Sequence, residues 1–209
     1  MTSWGKLFVD KSKAVGEVAG VEAGKIEVFV YPEYYPRVRV GSVLAIDSEG
    51  SKPVGIVIKL AHTARHAGIV PLRKTRQEIR NAYPDIERYY RYVSTIAYTS
   101  NITSGNIVHV RTSMPRLHDL VYIIGSNDLL DAFFKPDGEW NFDFLRYYIA
   151  EGASILEIRE FFYTYKEYFQ DYRDDKEEVI SKLVRVLLRS GVSNVALYIE
   201  EIINMLGWG

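Results

Sequence analysis

The 209-residue chain has no cysteine. That absence removes disulfides, thiolate nucleophiles and cysteine-based zinc sites together, and it suits a cytoplasmic protein. No apolar run approaches the roughly 20 residues of a membrane-spanning helix. The N-terminus, MTSWGKLFVDKSKAVG, has only the short apolar run Leu7, Phe8 and Val9, too little for a secretory signal. A phosphate loop is missing as well. The nearest stretch runs Ala19, Gly20, Val21, Glu22, Ala23, Gly24, Lys25, Ile26. It lacks the leading glycine and the metal-binding hydroxyl, and a strand pattern follows where a helix would have to offer its N–H groups. No cofactor is expected.

Apolar residues make up 47% of the chain, ample for a core. Sixteen tyrosines and 25% charged residues suit a thermophile. The formal net charge is −1, but it hides an asymmetry. Residues 52–118 carry 11 Lys/Arg against 3 Asp/Glu, and residues 119–209 carry 9 against 17. A basic middle beside an acidic C-terminal part either docks two lobes of one molecule or exposes a basic face to an anionic partner.

Residues 43–47 and 54–60 are apolar runs flanking the polar turn Ser48-Glu49-Gly50-Ser51-Lys52, which reads as a strand pair. Gly41 and Gly55 sit where small barrels turn corners, at bulges or close backbone approaches. Further strands are expected at 14–21, 26–31, 92–98, 106–111 and 120–125, enough to close a small barrel. Residues 31–36, YPEYYP, cannot be central strand because each proline lacks a ladder donor. They read as a lid on the barrel end or as a stacking platform.

Thr75-Arg76-Gln77-Glu78 has the form of a capping box, placing a helix over about 76–83, with a second start at Pro84. Arginine, lysine and tyrosine crowd this basic insertion, about 73–92. Arg65, Arg73, Lys74, Arg76, Arg80, Arg88, Tyr89, Tyr90, Arg91 and Arg116 are the candidate partner- or nucleic-acid-binding residues. Guanidinium forks and stacking rings suit phosphates and bases. The same mixture suits a protein interface, or a helix whose Arg stems cover apolar surface. His62 and His66 are spaced as metal ligands, but Gly68 and Pro71 argue against a helix there, and no metal site is expected. His118 and Asp119 could form half of an acid–base pair, without a recognisable nucleophile.

From Ser126 the pattern turns helical. Helices are expected at 127–134 and 141–150, from the capping box at Ser154 to about Tyr172, at 177–190, and at about 194–206. Gly191 and Gly207 are the expected C-caps. The fold class is therefore α+β: a small closed β-barrel with a helical insertion over 1–125, then an acidic helical lobe over 126–209.

Three features resemble the HAS-barrel family, named for the HerA DNA translocase and the rotary ATP synthases. They are Val15-Gly16-Glu17-Val18, Val40-Gly41 before residues 43–46, and Val54-Gly55-Ile56-Val57. The segment VPLRKTRQEIRNAYPDIERYYRY is similar to an elaboration of stand-alone archaeal HAS-barrel proteins. The resemblance covers about the first 125 residues, and no ATPase core follows. It implies a cytoplasmic assembly or adaptor role without ATP hydrolysis, docking onto a protein complex of the DNA-repair kind, such as a HerA-type ATPase or a nuclease. Homo-oligomers are known in that family. The alternative is a nucleic-acid-binding protein using the Arg/Tyr-rich segment 59–116. A hydrolase or nuclease around His118 and Asp119 is a more distant reading.

Overall fold

The computed structural model describes residues 3–64, 77–78, 81 and 90–209. Its strands are β1 (Gly16–Glu22), β2 (Lys25–Val30), β3 (Val43–Asp47), β4 (Lys52–Ala64), β5 (Tyr90–Thr103), β6 (Asn106–Val108) and β7 (Leu120–Ile123). The order β2-β1-β7-β3-β4-β5 closes on itself where β2 pairs with β5. The result is a six-stranded antiparallel barrel, with β6 extending β5 as a hairpin. Closure leaves the six strands no open edge.

Each hairpin has a local cause. Glu22 pairs with Lys25 across Ala23-Gly24, and Gly24 takes φ +103°. The stretch tested as a phosphate loop is thus a tight turn between two strands. β3 and β4 pair from Val43↔Ile56 to Ala45↔Val54 around the polar turn. β3 is apolar without alternation because both its faces are covered. Leu44 and Ile46 join Val18, Val28, Val57 and Ile96 inside the barrel. Val43 and Ala45 face outward into a second cluster built with the helices.

Seven α-helices have both ends among the described residues: α1 (Ser3–Leu7), α2 (Asn127–Phe134), α3 (Phe144–Ala150), α4 (Ile155–Thr164), α5 (Lys166–Gln170), α6 (Lys176–Arg189) and α7 (Val195–Leu206). Six follow the barrel, so the fold is α+β with a small closed barrel and a C-terminal helical lobe. No helix among the described residues is long and apolar enough to cross a membrane. Ser154 and Glu157 form the expected capping box at α4. Asn194 caps α7 through Leu197 N–H, and Gly207 ends it in the left-handed region. The lobe core is aromatic. Phe134, Phe142, Phe161, Phe162 and Phe169 are fully buried, and Trp140 stacks on Phe142 at 5.9 Å.

The helix expected from Ser154 to about Tyr172 is interrupted. α4 stops at Thr164, Tyr165 leaves helical geometry at φ −111°, ψ 22°, and α5 restarts at Lys166. The cause is tertiary. The Tyr165 hydroxyl accepts the N–H of Val43 at 2.7 Å and lies 3.5 Å from the carbonyl of Ile124. Thr164 Oγ1 also donates to Glu160 O at 2.8 Å, a local bond that competes with helix continuation.

Gly41 and Gly55 meet the close approaches expected of them. At Gly55, where the β4–β5 register shifts, a Cβ would stand 2.5 Å from the carbonyl oxygen of Ala97. Gly41 has φ +86°, and a Cβ there would stand 2.5 Å from Phe161 Cα on α4. Gly50 shares the conformation, φ +82°, with nothing nearby. Gly50→Ala therefore isolates the backbone strain, about 1–2 kcal/mol. Gly41→Ala adds displacement of a helix backbone and is expected to cost at least about 1 kcal/mol more. Equal losses in urea denaturation would refute the close approach.

Candidate functional site

Most residues of the expected basic surface, namely Arg65, Arg73, Lys74, Arg76, Arg80, Arg88 and Tyr89, lie outside the described residues, as does His66. Gln77, Glu78 and Asn81 are helical, and Gln77 Nε2 donates to Asn81 Oδ1 at 3.1 Å. Tyr90 begins β5 opposite Ala64. Arg91 is exposed, with its guanidinium over the Phe29 ring at 5.3 Å. Arg116 pairs with Glu49 at 2.9 Å, both well exposed. The pair has high solvent screening and contributes little to stability.

Tyr34 and Tyr35 pack on the barrel cluster. Tyr35 lies 4.3 Å from Tyr92, and His62 stacks on the same Tyr92 ring at 4.3 Å. These contacts make the 31–36 loop a lid over the barrel end. Asp119 uses Oδ2 to accept the N–H of Arg116 at 2.7 Å, fixing the turn into β7. His118 sits at φ +69°, exposed, with Nδ1 3.4 Å from Glu17 Oε1. Both residues shape the entry to a strand.

One ion pair among the described residues joins the basic middle to the acidic C-terminal part. Arg111 Nη1 meets Glu151 Oε1 at 2.7 Å beneath the Gly24 turn, while its guanidinium covers the Tyr147 ring at 4.6 Å. Around it, Asn101 Nδ2 donates to the carbonyl of Val110 at 2.9 Å, and Tyr98 Oη accepts the N–H groups of Thr112 and Ser113. This polar set pins the 109–113 segment to β5.

Ser100 and His109 come within 2.8 Å, Oγ to Nδ1, the spacing of a nucleophile and its base. Both are buried, His109 between the edges of Phe133 and Phe144, and neither lines a cleft. Burial pushes the His109 imidazole down to about 4. The main chain of Phe133 opposes that shift without supplying Nε2 a hydrogen bond. The pair is a folding element with no access to substrate.

Concavities do reach the surface; a small one of about 260 Å³ lies beside Trp140 and Arg185, and two are larger. The first is a cleft of about 610 Å³ between the lid loop and the α4–α5 interruption. Its floor includes Ile123, Ile124 and Leu130, and its walls include Tyr163, Tyr165 and Tyr168. Arg37, Arg39 and Lys166 stand on its lining, with Glu167 beside them. Tyr168 and Tyr172 both donate to Asp131 Oδ1, at 2.8 and 2.7 Å. Tyr172 is pushed up to about 12, chiefly by that bond, and Tyr168 is raised chiefly by burial. Both phenols stay protonated donors near neutral pH.

The second concavity is an apolar groove of about 500 Å³ between α6 and α7, lined by Val184, Val195, Ala196, Ile199, Glu200 and Ile203. Leu188 and Leu197 on the same two helices keep 62% and 43% of their surface exposed. α7 is strongly apolar, yet only Ile202 and Leu206 are fully buried in it.

Neither of the two larger concavities coincides with the expected basic surface. Arg37 and Arg39 carried a faint signal, as charges alternating around the apolar Val38. Lys166 carried none, because its place depends on the helix interruption. Among the described residues, no group of three His, Cys, Asp or Glu is placed to hold a metal ion. No protein-family model matches the chain, and no curated protein matches it.

The buried imidazole makes a pH prediction. Unfolded His109 takes up a proton near pH 6.5, and the folded one resists until about 4. Its contribution is complete above pH 6.5 and is lost as pH falls toward 4, by about 3 kcal/mol at most. His109→Gln should flatten the fall in stability across that window, seen in urea midpoints against pH. Parallel profiles for the two proteins would refute the assignment.

Proposed function

We propose that the chain is a non-catalytic assembly or adaptor module with a HAS-type barrel. Through its lobe it docks onto a protein complex, of which DNA-processing HerA-type translocase or nuclease machinery is the class. The closed six-stranded barrel is compatible with that family and with others. The observation that carries the docking role is the uncovered apolar groove of the α6–α7 pair. Val195, Ile199 and Ile203 repeat every four residues along α7, the spacing that receives a partner helix. An apolar trough with almost no polar lining, on an otherwise charged lobe, supports the reading of an interaction surface.

The occupant is an amphipathic helix of a partner protein with basic flanks. The charge balance of residues 119–209, 17 acids against 9 bases, favours such flanks. Ala196 lines the groove and is exposed, so Ala196→Arg blocks the trough and repels a basic flank without disturbing the core. The tagged full chain, incubated with an extract of its own cells, is expected to retain a discrete protein after nuclease treatment. Ala196→Arg should lose that protein while keeping the circular dichroism and melting temperature of the unaltered chain. Capture that disappears with nuclease, or that Ala196→Arg leaves intact, would overturn the reading. The first of those outcomes would favour nucleic-acid binding through the Arg/Tyr-rich segment 59–116.

A further inference from the structure

The first cleft has a different character from the groove, and the docking role makes no use of it. Its volume, about 610 Å³, lies in the range of small-molecule sites. Three cations converge on it from two parts of the chain. Arg37 and Arg39 flank the buried Val38 just after the lid loop, and Lys166 opens α5. None of the three has an ion-pair partner among the described residues, although the lobe around them is acidic. Elsewhere in that lobe Lys135, Arg159 and Lys182 find a carboxylate, while Arg146, Arg173, Arg185 and Arg189 have none among the described residues, so what sets these three cations apart is a shared cavity with one acid on its lining. Cations left unpaired together on one cavity form a ready receptor for an anion, with Glu167 as the single acid on the lining.

The remaining lining fixes the kind of anion. Guanidinium forks match phosphate oxygens. Tyr163 lines the same cleft with 54% of its surface exposed, so ring area is available to a flat partner. The floor of Ile123, Ile124 and Leu130 is apolar and carries no competing charge. The interruption after α4 is held open by the Tyr165 hydroxyl on the N–H of Val43, so this wall is built into the fold. We infer that the cleft between the lid loop and the α4–α5 interruption binds a mononucleotide. Arg37, Arg39 and Lys166 hold its phosphate, and Tyr163 stacks on its base.

Isothermal titration of the full chain with AMP, ADP, ATP and GMP, at low salt and beside inorganic phosphate and adenosine, tests this directly. At least one nucleotide is expected to bind saturably, one per chain, and more tightly than phosphate or adenosine alone. Arg39→Gln should weaken it by about tenfold, the loss of one charge-assisted contact. Tyr163→Ala should weaken the nucleotide and leave phosphate unchanged. Both positions are exposed, so unaltered melting temperatures should accompany these losses. Ala196→Arg, in the α6–α7 groove, which shares no lining residue with the cleft, should change nothing here. The absence of saturable binding by all four nucleotides would overturn the inference. So would phosphate bound as tightly as any nucleotide, or affinity indifferent to Arg39→Gln, Lys166→Gln and Tyr163→Ala together.

Discussion

The backbone of α4 lies against Gly41, and the join between barrel and lobe depends on that approach. A glycine is needed twice over, for its positive φ and for the missing Cβ beside Phe161. Four residues further along the chain, just past the end of α4, the Tyr165 hydroxyl accepts the N–H of Val43 at the start of β3. A buried N–H left without an acceptor would cost about 1–3 kcal/mol. Tyr148 makes a related tie from α3, donating to the carbonyl of Val57 at 3.2 Å. The barrel strands and the helices thus complete each other's polar groups across an apolar seam.

Charge has a minor part in that seam. The basic middle and the acidic C-terminal part carry opposite charge, yet Arg111–Glu151 alone pairs them among the described residues. The remainder of the join is Val43, Ala45, Val54, Ile56 and Ala97 against Leu145, Tyr148 and Phe161. Such apolar burial is worth roughly 25 cal/mol per Å², and it does not depend on salt as surface pairs do. Of the lobe's acidic side chains, Glu167 and Glu200 line the two larger concavities.

Those concavities arise from different physics. The α6–α7 groove exists because α7 is apolar around more of its circumference than the lobe core can cover. The cleft beside the lid exists because a tyrosine leaves its helix to serve a strand, which opens a wall and places Lys166 on it. One surface is suited to another helix and the other to a charged small molecule. Neither requires a chemical step from Ser100 and His109, whose contact is sealed beneath phenylalanine rings.

Much of the architecture was legible in the residues alone. Polar turns between apolar runs marked β1–β4, a capping box marked the start of α4, and Asn194 and Gly207 bounded α7, because these signals act within a few residues of themselves. Gly41 and Gly55 announced close approaches without naming what approached. The interruption at Tyr165, the cleft it opens and the pairing of Ser100 with His109 carried no such signal. They are contacts between segments far apart in sequence, or between side chains whose role depends on what covers them. The residues alone specify an α+β chain with a small barrel, a helical lobe and a divided charge. Which faces are used up in joining the two, and so which cations and apolar side chains remain for a ligand or a partner, emerges with the packed fold. The reason is that burial and polar satisfaction are properties of the assembled chain.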